Sequence, residues 1–345
     1  MEKLFQKISF TSASLVLIIL IGIFAVLFQT AKPAIEEYGL GFITNPAWGK
    51  EVPIKTDVKK QTTAKSSNVD NPPLDNMDSM GDDSMNPDAM GDTDSMGDSM
   101  GDDNSMPPMD DEADETPMKT IYGGLVPILG TIFSTLIALA FALPIAMGIA
   151  IFLSEIAPKN ISNVVGIAIE LLAAIPSIIF GMWGLYYFAP IVQDIFGGSQ
   201  VSLLTAGLVL GIMILPFMAS ITRDSMNTTP DVLKESAYAM GATKFEVIKD
   251  VIFPYSKVGI IGSIILALGR ALGETMAVAF LIGSIFDLPH KVTDPTISIP
   301  VALANNFGEA TGLQMNSLFY LGLILFIMSF AVISFAKFYF LRKRG

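Results

Sequence analysis

Three ionisable residues lie inside long apolar stretches of this 345-residue chain: Glu170, Arg270 and Glu274. A charged side chain near the centre of a bilayer costs roughly 2.5–3.5 kcal/mol, so each of them needs an internal partner or a wet cavity. A guanidinium group stays charged at any relevant pH, and its fork of donors matches the oxygens of an oxyanion. We therefore predict that Arg270 lines a path for an anion.

Glu274 follows Arg270 by four residues, which would place both side chains on one face of a continuous helix. In the functional interpretation, Glu274 compensates the charge of Arg270 while the path is empty, and a travelling anion then competes with it for the guanidinium. The alternative is an ion pair that only stabilises packing, and such pairs often add little net stability. For Glu170, structural and functional interpretations are both open.

The apolar stretches that contain these three ionisable residues are predicted to be membrane-spanning helices. The chain is 51% hydrophobic and only 16% charged, which excludes an ordinary soluble domain and a chain that is disordered throughout. Six stretches reach the length of about 20 apolar residues that a membrane helix needs, and the distribution of Lys and Arg predicts that both termini are cytoplasmic. The sequence therefore predicts an all-α integral membrane protein with six transmembrane helices. They cover about residues 8–28, 125–153, 164–188, 201–221, 258–285 and 318–339.

The third stretch contains a proline and glycines with a predicted mechanical role. Pro176 removes a helix hydrogen bond and predicts a kink. Gly181 allows close approach of a neighbouring helix. We interpret this segment as a hinge or packing surface, and a purely structural kink is the alternative.

The first helix, within residues 1–30, is followed by a long outer loop, residues 31–119. From about residue 70 to 118 this loop repeats Asp, Ser, Met and Gly, and it holds 16 acidic residues without any Lys or Arg. Such a segment has too little bulky apolar content to fold by itself, so we expect a disordered acidic linker. A weak metal-gathering tract is the alternative, since thioethers favour Cu(I) and carboxylates favour Ca²⁺ or Mg²⁺.

Several chemistries are excluded by absent residue types. The chain has no cysteine and one histidine, His290, so disulfides, thiolate chemistry and a histidine metal cluster are not expected. It lacks the G-x-x-x-x-G-K-[ST] loop, which predicts that it does not itself bind or hydrolyse ATP. The basic residues follow membrane topology and are not interleaved with aromatics, which argues against nucleic-acid binding.

The loop at about residues 222–257 predicts two helices. Pro230 and Asp231 give a start signal, Leu233, Ala237 and Met240 form an apolar face at helical spacing, and Gly241 ends the helix. Thr243 is a predicted N-cap for the second helix, which we expect Pro254 to stop.

This loop resembles the EAA loop of binding-protein-dependent ABC importer permeases. The family form is E-A-A, three residues, G, nine residues and I-x-L-P. The spacing matches here with modest substitutions, at Glu235, Ser236, Ala237, Gly241, Val251, Phe253 and Pro254. The resemblance implies the type I importer permease fold over residues 120–341, followed by a basic tail at 342–345. It also implies that the loop docks on a separate cytoplasmic ATPase, which would bind ATP and Mg²⁺.

The stretches LALGRALGETMAVAFLIG, ELLAAIPSIIFGMWGL and GTIFSTLIALAFALPIAMGIAIFLSEIAP are similar to phosphate-specific permeases. GLGFITNPAWGKE and IPVALANNFGEA resemble the PstC-type subunit of that family. The resemblance implies that Arg270 and Glu274 take part in transport. The implied location is the bacterial inner membrane with residues 31–119 in the periplasm. The implied partners are a PstA-type permease, a PstB-type ATPase dimer and a PstS-type phosphate-binding protein.

Two other functions stay open at this point. Arg270 alone does not separate phosphate from sulfate, phosphonate or molybdate, so a permease for another oxyanion is the first alternative. The second is a membrane scaffold or sensor that collects metal on the acidic outer tract and binds a signalling partner through the 222–257 loop.

Overall fold

The computed structural model describes residues 2–53 and 118–341. The chain divides into two units, residues 1–50 with 120–345 and residues 51–119, and every described helix belongs to the first unit. Residues 70–117 of the predicted acidic insert and the tail 342–345 lie outside the described residues. The proposed roles of both segments therefore stay predictions.

The described part of the chain is mostly helical. In chain order, the elements are α1 (Glu2–Tyr38), α2 (Gly41–Thr44), β1 (Trp48–Pro53), β2 (Met118–Tyr122), α3 (Leu125–Ile151), α4 (Lys159–Ala173), α5 (Ser177–Trp183), α6 (Ala189–Phe196), α7 (Leu203–Asn227), α8 (Asp231–Ala239), α9 (Lys244–Glu246), α10 (Phe253–Leu272), α11 (Met276–Leu281), α12 (Ile299–Asn306) and α13 (Gly312–Leu341). β1 and β2 pair in a two-stranded sheet. The described residues also contain three π-helical segments. Phe152–Ile156 continues α3, Gly184–Phe188 joins α5 to α6, and Val247–Ile252 joins α9 to α10.

Among the described residues, six helices are long and apolar enough to cross a membrane, which confirms the predicted number. They are Leu4–Tyr38, Leu125–Ile156, Ser177–Phe196, Leu203–Asn227, Lys244–Leu272 and Gly312–Phe338. Four of them contain most of the corresponding predicted stretch. The third and fifth differ from the prediction, and both differences bear on the candidate site.

The third predicted stretch, residues 164–188, is two helices and not one kinked helix. α4 ends at Ala173, and Pro176 adopts an extended conformation before α5 begins at Ser177. Proline lacks an N–H and disfavours helical geometry in the residue before it, so the chain stops and restarts here. The helix that is apolar and long enough to span begins after this proline, at Ser177.

The fifth predicted stretch also has the wrong bounds. Pro254 does not stop a helix, because it lies in the first turn of α10, directly after the π-helical segment Val247–Ile252. A π-helical segment widens the hydrogen-bond spacing, which accommodates the missing proline N–H and its ring. At the other end, α10 stops at Leu272 with Gly273 as its C-cap. The predicted helix through residue 285 is therefore interrupted.

α7 lies at the centre of the bundle and packs against both α3 and α10. The hydroxyls of Thr222 on α7 and Ser263 on α10 are 2.8 Å apart and fully buried. Five residues before Thr222 and seven residues after Ser263, Phe217 of α7 contacts Arg270 of α10. These pairs run in opposite sequence order on the two helices, so α7 and α10 are antiparallel.

Candidate functional site

Arg270 lies in the last turn of α10 and is half-buried. Its guanidinium carbon is 6.0 Å from the centre of the Phe217 ring, a distance at which the ring face attracts a cation. Its Nε is buried and has no hydrogen-bond partner among the described residues. The structure therefore places a fixed positive charge inside a membrane-spanning helix with part of its donor capacity unused.

Glu274 does not lie on the same helix face as Arg270, so that expectation is wrong. Gly273 ends α10, and Glu274 follows in the interruption before α11. There its carboxylate accepts a hydrogen bond of 3.3 Å from the backbone N–H of Ala277. Within the described residues, no ion pair joins Arg270 to Glu274. The carboxylate acts locally as a cap for the first turn of α11.

Two helix interruptions lie near the level of Arg270. The first interruption separates α4 from α5, and its position follows from contacts with α7. Gly166 of α4 contacts Arg223, and Gly184 contacts Val209. The α4–α5 interruption lies between Gly166 and Gly184 in sequence. It therefore lies alongside the middle of α7, where Phe217 contacts Arg270. The second interruption, between α10 and α11, begins three residues after Arg270. Many transporters build a substrate path from interrupted membrane helices.

The predicted hinge residues lie beside these interruptions. Pro176 is the last residue before α5. Gly181 is buried against α11, where an added Cβ would lie 3.0 Å from the Cα of Ala277 and 2.9 Å from the Phe280 ring. A side chain at this position would push α5 and α11 apart. Glu170, near the end of α4, is exposed in this single chain.

The 222–257 loop folds largely as the sequence predicts. α8 follows Pro230, and Gly241 has a φ of +90°, a conformation that favours glycine. Its N–H donates to the carbonyl of Tyr238, which closes the end of α8. Thr243 is confirmed as an N-cap: it accepts from the Glu246 N–H, while the Glu246 carboxylate accepts from the Thr243 N–H at 2.7 Å. This capping box fixes the angle at which the chain leaves the turn.

The predicted apolar face of this loop divides between two surroundings. Ala237 is buried, whereas Leu233 is exposed and Met240 is 84% exposed. Glu235 and Ser236 are exposed as well, and the Ser236 hydroxyl donates to the Val232 carbonyl. Val251 and Phe253 pack against a small apolar cluster that we call the lower cluster; its buried members are Ala150, Met226, Ala237, Val247, Ile252 and Ile260. Only one side of α8 is therefore held by the bundle.

The end of α8, including the buried Ala237, and the π-helical segment Val247–Ile252 line a depression of about 430 Å³. Met240, Gly241, Glu246 and Asp250 are among its lining residues. Val232, Tyr238 and Phe245 of the same loop are also exposed, so this loop presents several apolar side chains on its surface. Grouped apolar side chains on a surface mark an interaction site.

One ion pair in the structure was not predicted from the sequence. The Lys234 ammonium of α8 is 2.8 Å from Oε1 of Glu155, in the π-helical segment that continues α3. The side chains are 18% and 9% exposed, respectively. The only sequence signal was indirect: Lys234 directly precedes Glu235 of the EAA-like segment.

The comparisons with known proteins agree with this architecture. Residues 120–344 match the family model described as "Binding-protein-dependent transport system inner membrane component". The chain is 48% identical over 244 residues to the phosphate transport system permease protein PstC of Pasteurella multocida, a match that covers 65% of this chain and 76% of that protein. It is likewise 48% identical over 237 residues to PstC of Haemophilus influenzae, covering 63% of this chain and 75% of that one.

A solved structure shares the fold. The chain is similar, with a TM-score of 0.51 and 18% identity, to a structure of the MetNI methionine ABC transporter; the match covers 63% of this chain and 94% of that one. This likeness shows the fold of an ABC importer transmembrane domain. Together with its sequence relatives, the chain thus belongs to the binding-protein-dependent transport system inner membrane components, and among them to the PstC-type phosphate permeases.

Proposed function

We propose that this chain forms part of the translocation path of an ATP-driven phosphate importer and couples that path to a separate ATPase. The observation that carries the proposal is the state of Arg270. A guanidinium is held at the level of two helix interruptions, within a membrane-spanning helix, and its buried Nε has no partner among the described residues. A phosphate ion offers the acceptor oxygens that this group lacks.

The cost of this arrangement supports a role in transport. An uncompensated cation in a bilayer costs several kcal/mol, so a guanidinium without an acidic partner is expected where water or an anion reaches it. The relatives named as phosphate permeases point to phosphate as that anion. A compensating carboxylate on the same helix would compete with the substrate, and Glu274 is instead directed to the N–H of Ala277.

The coupling part of the proposal rests on the 222–257 loop. α8 leaves Met240 and its apolar neighbours exposed, which suits the groove of a protein partner. We propose that an ATPase dimer of PstB type docks there in the cytoplasm and binds ATP and Mg²⁺ itself. A second permease of PstA type would complete the path in the bacterial inner membrane, and a PstS-type protein would deliver phosphate from the periplasm. Closure of the ATPase would then expose Arg270 alternately to each side.

Reconstitution tests this proposal. Liposomes that contain the two permeases and the ATPase, with the binding protein outside and ATP inside, should accumulate labelled phosphate; those without the ATPase should stay empty. Equal filling of both would contradict the proposal. Adding excess sulfate, a phosphonate or molybdate should not compete with phosphate. Competition by one of them would favour the corresponding oxyanion permease.

Docking is tested by a pair of matched substitutions. Met240→Ser removes an apolar side chain that is 84% exposed directly after α8, and Leu40→Ser removes one that is 81% exposed between α1 and α2. We expect co-purification of the ATPase to fall with Met240→Ser and to be unchanged with Leu40→Ser. Retention of the ATPase by both variants would place its docking surface elsewhere.

A further inference from the structure

The π-helical segment Phe152–Ile156, which continues α3, carries a charged contact to α8. Oε1 of Glu155 lies 2.8 Å from the Lys234 ammonium and also accepts a hydrogen bond of 3.1 Å from the Ser154 hydroxyl. The two charged side chains are at least four-fifths buried, although Glu155 lies near the end of its helical segment. A buried pair of this kind is geometrically specific, because losing one partner leaves the other charge buried and uncompensated.

The same five-residue segment also holds the start of α4. The Ser162 hydroxyl donates to the Leu153 carbonyl at 2.7 Å, and the Ala157 N–H donates to the Phe152 carbonyl at the same distance. α3, α4 and α8 therefore meet at one point. A displacement of α8 that is passed on through Glu155 reaches α3 directly and α4 through this segment.

Apart from this pair, α8 makes little contact with α3. Ala237 is the one residue of α8 that is buried, and it enters the lower cluster beside Ala150 of α3. A single methyl group contributes little contact area and no direction. The Lys234–Glu155 pair is short and directional, so it is the contact that fixes α8 to α3.

We propose that the Lys234–Glu155 pair transmits movement of α8 to α3 and α4, which makes both residues positioning residues for transport. This inference rests on the proposed function, in which an ATPase moves α8. The ion pair links α8 to α3 and α4, which are not its neighbours along the chain. Along the chain, α8 is joined only to α7 and, through α9, to α10. α4 ends at the interruption that lies near Arg270, so this route leads toward the substrate path.

Two other roles of the Lys234–Glu155 pair predict different experimental results. If the pair only stabilises the fold, its loss lowers the yield of the complex and all activities together. If α7 and α10 alone carry the movement, loss of the pair changes nothing once the complex has assembled. The ratio of phosphate imported to ATP hydrolysed separates these roles from transmission.

The experiment uses the complete transporter in liposomes. Glu155→Gln and Lys234→Met remove one charge each, and the double variant Glu155→Lys with Lys234→Glu reverses the pair. Glu36→Gln and Lys32→Met are matched controls, because Lys32 and Glu36 form an exposed pair on α1 with side chains 62% and 68% exposed. Three quantities are measured: co-purified ATPase, ATP hydrolysis, and phosphate imported per ATP.

For the two single variants, we expect normal co-purification and ATP hydrolysis but about tenfold less phosphate per ATP, the size typical of residues that couple two sites. The reversed pair should regain most of this loss, and the α1 controls should match the unsubstituted transporter. An unchanged ratio in both single variants would overturn the inference. If the unsubstituted complex imports no phosphate with ATP, the proposed function fails and not this inference alone.

Should a single variant fail to assemble, Glu155→Asp and Lys234→Arg provide a milder test. Each keeps its charge but shifts the charged group by a bond or more. Transmission by the pair predicts assembled complexes with a lowered ratio of phosphate to ATP. A ratio equal to that of the unsubstituted complex in both would overturn the inference.

Discussion

Two acid–base pairs in this chain have opposite outcomes. Arg270 and Glu274 are four residues apart, yet no ion pair joins them within the described residues. Lys234 and Glu155 are 79 residues apart, yet their charged groups lie 2.8 Å from each other. The difference arises because close spacing in sequence brings side chains together only where one helix continues through both positions.

The two outcomes suit different tasks. Among the described residues, Arg270 has no acidic partner and its Nε stays available for an incoming anion, whereas the ammonium of Lys234 is occupied and holds two helices together. A pair at Arg270 would have to be broken in every transport cycle. A pair at Lys234 is useful only if it stays intact while its helices move.

The largest effect is expected from Arg270→Gln. This substitution removes the charge and most of the fork of donors, so phosphate uptake by the reconstituted complex should fall at least about 100-fold, the loss expected for charge-assisted hydrogen bonds. Arg270→Lys keeps the charge without the fork and should lose less, about tenfold. ATPase co-purification should be normal in both. Uptake at the unsubstituted rate by Arg270→Gln would show that the anion passes elsewhere.

The next largest effect is a difference in coupling energy between the Lys234–Glu155 pair and the Arg270–Glu274 pair. Double-mutant cycles measured by thermal unfolding in detergent should give a coupling of about 2 kcal/mol for Lys234 with Glu155, because they are buried and in contact. The cycle for Arg270 with Glu274 should give less than about 0.5 kcal/mol. Similar couplings for both pairs would mean that the intramembrane pair forms after all.

Local patterns in the sequence predicted the fold best where they did not depend on distant contacts. Six apolar stretches predicted six spanning helices, and the Thr243 cap with its Gly241 turn is found where expected. The interruption at Gly273 was not predicted, because an isolated glycine in a largely apolar stretch is compatible with a continuous helix. The position of Glu155 beneath α8 depends on how α3 packs, which no local pattern in a single sequence contains.

A smaller effect is expected from substitutions of Glu274. Glu274→Ala removes the acceptor for the Ala277 N–H and should destabilise the protein by about 1 kcal/mol, as loss of a helix cap does. Glu274→Gln keeps a carbonyl acceptor but removes the charge, so its thermal unfolding should be nearly normal. If the carboxylate instead served mainly to neutralise Arg270, the two variants would be equally destabilised.

The smallest effect is expected for Lys32 and Glu36, which have the same four-residue spacing as Arg270 and Glu274. Here α1 continues through both positions, and the pair forms at 3.5 Å. Because both side chains are mostly exposed and the lysine precedes the acid, their double-mutant cycle should give only about 0.2–0.5 kcal/mol. Thermal unfolding at low salt and at high salt would check this, since screening should remove the coupling. A larger, salt-independent value would show that exposure is a poor guide to the strength of ion pairs in this protein, and would weaken the use of Glu36→Gln as a control for Glu155→Gln.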